Sequence, residues 1–174
     1  MIAYRDIGPD DAAALADLHR RSFIETFGHL YRPEDLEAFL AQLDEACFRE
    51  ELLDGRHQVR FAEADGVPVA FVKLGPVTLP VEPARPALEF RQLYVLKPWH
   101  GRGVATELMR WVLGEARGEG AEELYLSVFI DNHRARRFYG RHGFEVVGTY
   151  HFMVGAHADD ELIMRLSLED ARDR

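Results

Sequence analysis

Trp99-His100-Gly101-Arg102-Gly103-Val104-Ala105-Thr106 is the stretch on which the reading of this chain turns. Residues 88–96 before it read as a strand, and residues 103–117 after it as a helix with Val104, Leu108, Met109, Val112, Leu113 and Ala116 on one apolar stripe. Gly101 and Gly103 let the backbone turn sharply and keep a Cβ out of a ligand's way. The helix then aims its unpaired N–H groups and the positive end of its dipole at the turn. Such a place binds phosphate. No Gly-Lys-Ser/Thr follows, which excludes a Walker loop, and Thr106 stands where a dinucleotide fingerprint carries a third Gly or Ala. Taken alone, the turn is equally a plain strand–helix connection.

C-terminal to it, residues 123–129 read as a strand and residues 132–142 as a helix stopped by Gly143. Asn132 and Tyr139 are seven residues apart, two helical turns, and share a face. Asn132 offers an amide donor and acceptor and Tyr139 a phenol; the bland alternatives are a helix cap and a core tyrosine. Arg134, Arg136, Arg137 and Arg141 form a basic patch, either a solvated face or the edge of an anion site. Residues 144–150 and 161–168 read as the last strands.

N-terminal to the glycine turn the texture is different. Residues 2–5 read as a strand. A first helix follows Gly8-Pro9-Asp10-Asp11, with Leu15, Leu18, His19, Ser22 and Phe23 at helical spacing. A second starts near Pro33, buries Leu36, Phe39, Leu40 and Leu43, and runs, with a break, to Leu53. Residues 58–64 and 67–74 are strands joined by an Asp65-Gly66 hairpin turn. Residues 75–87 hold four prolines and read as a semi-rigid loop. The expectation is one domain over residues 1–174, of α/β (α+β) class, with a mixed central sheet of about six to seven strands flanked by about four helices.

The formal charge is −9, from 21 Lys+Arg against 30 Asp+Glu. That disfavours nucleic acid and anionic membrane as partners and suits a small cationic substrate. No apolar run is long enough to span a bilayer. The start lacks a signal-peptide layout, so the expected setting is the cytoplasm. The single cysteine, Cys47, excludes a disulfide within one chain and is expected to be a buried small hydrophobe. A homodimer is left open.

The two clusters together resemble the GNAT superfamily, the Gcn5-related N-acetyltransferases. The pattern Gln/Arg-x-x-Gly-x-Gly/Ala reads here His100-Gly101-Arg102-Gly103-Val104-Ala105, with His100 in place of the usual Gln or Arg. Asn132-x-x-Ala135-x-x-Phe138-Tyr139-x-x-x-Gly143-Phe144 matches the second hallmark. Four further stretches resemble the PaiA-type spermidine/spermine acetyltransferases: residues 22–27, 33–36, 88–95 and 151–164. The departure is Leu126-Ser127-Val128-Phe129-Ile130, where that branch is tryptophan-rich.

The resemblance implies the GNAT fold and direct transfer of acetyl from acetyl-CoA to a primary amine, without a metal. It implies that Leu93, Tyr94 and Val95 pair with the pantetheine arm and that His100, Gly101, Arg102, Gly103, Val104, Ala105 and Thr106 cradle the pyrophosphate. Asn132 would hold the cofactor near its reactive end, Arg136 is a further cofactor contact, and the Val95 N–H would polarise the thioester. Tyr139 would be the general acid. Glu89, fourteen residues before Gly103, is the candidate base. Tyr31 and Glu25 are candidate substrate contacts. The acceptor reading is a polyamine such as spermidine. The alternatives are a protein or peptide amine, or a non-catalytic acyl-CoA-binding module.

Overall fold

The computed structural model describes residues 1–169. Its elements run β1 (Ile2–Asp6), α1 (Ala12–Phe27), α2 (Pro33–Leu40), α3 (Glu45–Leu53), β2 (Gln58–Ala64), β3 (Val67–Gly75), β4 (Ala87–Val95), α4 (Val104–Gly118), β5 (Glu123–Phe129), α5 (His133–Arg141), β6 (Glu145–Val154) and β7 (His157–Ser167). All seven strands share one sheet, in the order β1-β2-β3-β4-β5-β7-β6. Every pairing is antiparallel except β4–β5, which needs the α4 crossover.

Each face of the sheet has its own core. On one, α4 buries Leu108, Met109 and Val112 against Leu124 and Leu126. Leu108 and Met109 are 0% and 1% exposed, and burial of each contributes roughly 1.5–3 kcal/mol. On the other, α1, α2 and α3 pack Leu15, Leu18, Phe23 and Phe39 onto Phe61 and Phe71. The proline-rich loop covers the rest of this second face, with Leu79 on Tyr125 and Ile163.

Local chemistry explains most boundaries. Asp65 (φ 51°) and Gly66 (φ 80°) are both left-handed, as a two-residue hairpin turn of the mirrored type requires. After α5, Gly143 N–H bonds the Gly140 carbonyl and Phe144 N–H the Tyr139 carbonyl, closing the helix end around a glycine at φ 93°.

The break in the second helix separates α2 from α3, because the Asp44 carboxylate accepts from Cys47 N–H (2.8 Å) and starts α3 afresh. Two expectations are corrected. Cys47 is exposed: Phe48 and Leu52 carry the buried stripe of α3, and Cys47 is turned off it. The last two strands are longer than their apolar patterns and meet in a hairpin at Gly155-Ala156. The stretch between them, residues 151–160, mixes apolar and polar side chains without a clean alternation, and its first part lies on the edge strand β6.

One irregularity positions the site. Lys73 pairs with Gln92 but Leu74 with Phe90, so Arg91 is a bulge in β4. There β4 parts from β5. The two strands pair only at Ala87–Glu123, Leu88–Leu124 and Glu89–Tyr125, and beyond that a gap opens through the sheet.

Candidate active site

The gap is the floor of a cleft of about 1020 Å³. Leu96 N–H bonds Val69 on β3. By alternation the N–H and C=O groups of Leu93 and Val95 face away from β3, into the gap. The Val95 carbonyl is taken by His100; the remaining peptide groups of this edge require a partner, and an amide-bearing chain laid along it supplies one.

The glycine turn closes one end of the cleft. Gly101 and Gly103 have φ 72° and 81°, and a Cβ on either would meet nothing within 4 Å. The glycines are therefore set by backbone conformation, with open space beside them for a ligand. Val104 opens α4 there, so the first N–H groups of a fifteen-residue helix point into that space. The His100 Nε2–H donates to the Val95 carbonyl (2.6 Å), which leaves Nδ1 to accept from Arg134. Burial first, then the Arg134 and Lys97 charges, hold His100 below the ordinary imidazole pKa. The ring thus ties the end of β4 to the first turn of α5.

On α5, Asn132 caps the helix through its carbonyl, accepting from Ala135 N–H (3.2 Å), and keeps its amide N–H groups for another partner. Tyr139 lines the cleft from the α4 side of the sheet, packed edge-on to Phe90 and Phe144. Burial first, then the Glu161 charge, push its phenol above the usual tyrosine value. It therefore holds its proton at neutral pH.

The other mouth of the gap opens between α1, Tyr31 and the proline-rich loop. Glu161 on β7 faces it, beside Phe129 and Tyr150, its cross-strand neighbours. Burial pushes the Glu161 carboxyl up to about 7; the Ser127 hydroxyl opposes this and the Asp159 charge adds to it. The charge of Glu161 is felt at Tyr31, Tyr94, Tyr139 and Tyr150 alike. A carboxyl that can accept a proton and a phenol that can donate one thus line opposite sides of one gap.

The sequence pattern of the acetyltransferase (GNAT) family matches residues 13–144. The chain belongs to the GNAT acetyltransferase family. An uncharacterised N-acetyltransferase of Mycobacterium tuberculosis is 35% identical over 155 residues, 88% of this chain and 96% of that protein. The aminoalkylphosphonate N-acetyltransferase of Salmonella typhimurium is 33% identical over 108 residues, covering 60% and 70%. The PaiA N-acetyltransferase of Thermoplasma acidophilum, solved with coenzyme A, shares the fold with a TM-score of 0.79 at 20% identity, over 96% of this chain and 99% of that one.

As a GNAT enzyme the protein is an acyl-CoA-dependent N-acetyltransferase, and the cleft fits that donor: unpaired β4 peptide groups for the pantetheine amides, a helix N-terminus and glycine turn for the pyrophosphate. Among the described residues no group of three or more His, Cys, Asp or Glu could hold a metal, and no helix is long and apolar enough to cross a membrane.

The predicted site residues divide. Leu93, Tyr94, Val95, His100, Gly101, Gly103, Val104, Ala105, Thr106, Asn132 and Tyr139 line the one cleft, and so do Glu25, Tyr31 and Glu89. Arg102 and Arg136 do not: Arg102 lies over the Trp99 ring, and Arg136 donates to the Ile130 carbonyl (2.7 Å). Arg134, Arg137 and Arg141 supply the positive charge instead. Glu89 is buried, but one oxygen takes Thr78 N–H (2.6 Å), Thr78 Oγ1 (3.1 Å) and Leu79 N–H (3.2 Å). That carboxylate anchors the loop. Glu25 accepts from Lys97 N–H (3.1 Å) and joins α1 to the approach of the glycine turn. Tyr31 donates to Asp159.

Glu161 and Asp159 escaped sequence reasoning. Asp159-Asp160-Glu161 looks like a solvated acidic run. Only the alternation that puts Glu161 on one face with buried Ile163 turns the outer two acids inward and Asp160 out.

Proposed function

We propose that the protein acetylates a small polyamine such as spermidine, with Glu161 as the general base and Tyr139 as the general acid. The observation that carries this is the gap between β4 and β5, with Glu161 at one mouth and Tyr139 at the other. The acceptor arrives as an ammonium, and the net charge of −9 with acids in the chamber favours a cation. Ionised Glu161 takes one proton from it, and a pKa near 7 is matched to that task. The nitrogen lone pair then attacks the thioester carbon, whose oxygen faces the Val95 N–H. As the C–N bond forms and the C–S bond breaks, the sulfur leaves with the electron pair and takes the Tyr139 proton. The second nitrogen proton restores the phenol. The products are the acetamide and CoA thiol, with one proton released.

The test is thiol release from acetyl-CoA against an amine panel at fixed ionic strength: spermidine, a lysine peptide, a peptide α-amine and an aminoglycoside. The expected result is the highest kcat/KM for spermidine. An equal or higher value for any other member overturns the polyamine reading.

A further inference from the structure

Four acids are buried among the described residues, and they differ in what offsets their lost hydration. Asp35 holds Arg32 (3.0 Å) and the Ala156 N–H (2.8 Å). Glu123 has the Tyr125 hydroxyl (2.9 Å) and Arg165 (3.8 Å). Glu89 has its three loop donors. Asp159 and Glu161, on the chamber wall, have neither lysine nor arginine within ion-pair reach among the described residues. Asp159 is 4% exposed, and its partners are the Tyr31 phenol and the His157 ring at 3.3 Å, half open to solvent. Buried carboxylates cost several kcal/mol unless a cation or hydrogen bonds offset the lost hydration. Asp159 is held by a phenol and by a histidine ring, with no lysine or arginine beside it among the described residues.

A second observation points into the same chamber. His19, one turn before Phe23 on α1, lines the cleft at 3% exposure, and its Nδ1 has no partner. Burial, with the Lys73 charge behind it, pushes its pKa down to about 3, so the ring is neutral and presents no charge against an incoming cation. Phe23 stacks on Tyr31 with ring centres 5.8 Å apart, and His19, Phe23, Tyr31 and Asp159 all line the cleft. Tyr31 itself sits in the short extended joint between the 3₁₀ turn Gly28–Leu30 and α2. It is on the one part of the wall that belongs to neither helix.

We propose that Asp159 is the specificity-determining residue of the acceptor chamber: it receives the second ammonium group of a diamine acceptor, which displaces the Tyr31 phenol while the first ammonium stands at Glu161. The proposal rests on the acetyl-transfer reading above. Residues two apart on a strand are about 6.6 Å apart, the span that a butane chain puts between two terminal amines. In the free protein the phenol stands in for that second donor and keeps Asp159 hydrogen-bonded.

The experiment compares 1,4-diaminobutane with n-butylamine, in turnover and in calorimetric binding to the CoA-loaded protein, for the wild type, Asp159→Asn and Tyr31→Phe. A hydrogen bond to a charged group is worth roughly ten- to hundredfold. Asp159→Asn is therefore expected to lower the diamine-to-monoamine ratio of kcat/KM by about that factor, mainly through KM. Tyr31→Phe removes the competing donor and is expected to lower the KM of the diamine, the opposite sign. A structural role for Asp159 would instead weaken both amines equally in both assays, and that result overturns the proposal. A raised diamine KM in Tyr31→Phe overturns the displacement. If the diamine binds the CoA-loaded wild type better than the monoamine and Asp159→Asn abolishes the difference, but no amine turns over, the assignment of Asp159 stands and the acetyl-transfer reading fails.

Discussion

Replacing Glu161 with Gln is expected to make the protein a worse enzyme and a more stable fold, with both effects set by one titration. The folded-state pKa of Glu161 is pushed from 4.5 up to about 7. The native state therefore binds this proton more tightly than the unfolded chain. Its contribution to stability is fully present below 4.5 and is lost as pH rises through about 7. Relative to an uncharged side chain, ionised Glu161 costs about 1 kcal/mol at pH 5 and about 3 kcal/mol at pH 8. Gln keeps the shape but never ionises. Any fixed difference in packing is the same at both pH values and cancels when they are compared. Urea unfolding of the ligand-free proteins should thus show Glu161→Gln gaining about 2–3 kcal/mol on the wild type between pH 5 and pH 8, or roughly 5–10 °C in Tm for a chain of this size. Activity moves the other way. Wild-type kcat/KM should rise through a limb near pH 7 as the base ionises, and Glu161→Gln should lose that limb and roughly a hundredfold or more in kcat. Two stability curves that run parallel with pH would refute the buried-carboxylate argument. A variant that keeps both rate and limb would refute the catalytic one.

Tyr139→Phe keeps the ring packed on Phe90 and Phe144 and should fold as before while kcat falls roughly 10²-fold; an unchanged kcat would make Tyr139 a packing residue. Because its phenol lies above the ordinary tyrosine value, no basic limb belonging to it is expected in the wild-type pH profile below about pH 10. Gly103→Val forces a branched residue to φ 81° and puts its side chain into the open space beside the α4 N-terminus; we expect a loss of about 1–2 kcal/mol in stability and CoA binding weakened by about tenfold or more, and wild-type CoA affinity in calorimetry would place the phosphate elsewhere. Gly155→Ala sets a Cβ 2.6 Å from the Asp35 Cα at a position with φ 57°; unfolding should show a loss of about 2–4 kcal/mol, and a change within about 0.5 kcal/mol would mean the β6–β7 hairpin does not rest on α2.

The sequence alone determined what is local. Helical spacing marks the buried face of α1 and α4, Asp65-Gly66 marks its hairpin, and the glycine turn announces a helix N-terminus after a strand, because each depends on residues within a turn or two of one another. The cofactor half of the site was legible for the same reason. Its backbone donors and its Asn132–Tyr139 pair lie on single elements whose period is known. Of the acceptor half, the sequence picked out Tyr31 and Glu25, which line the cleft, and missed the acids Asp159 and Glu161. Glu89 sits on the expected strand, yet three donors from the proline-rich loop claim it. Glu161 and Asp159 enter the chamber only through the register of β7 between β5 and β6, and a slip of one residue would turn Asp160 inward in their place. Burial against elements distant in sequence, and not the residues themselves, makes one carboxylate a loop anchor and pushes the pKa of another up to about 7.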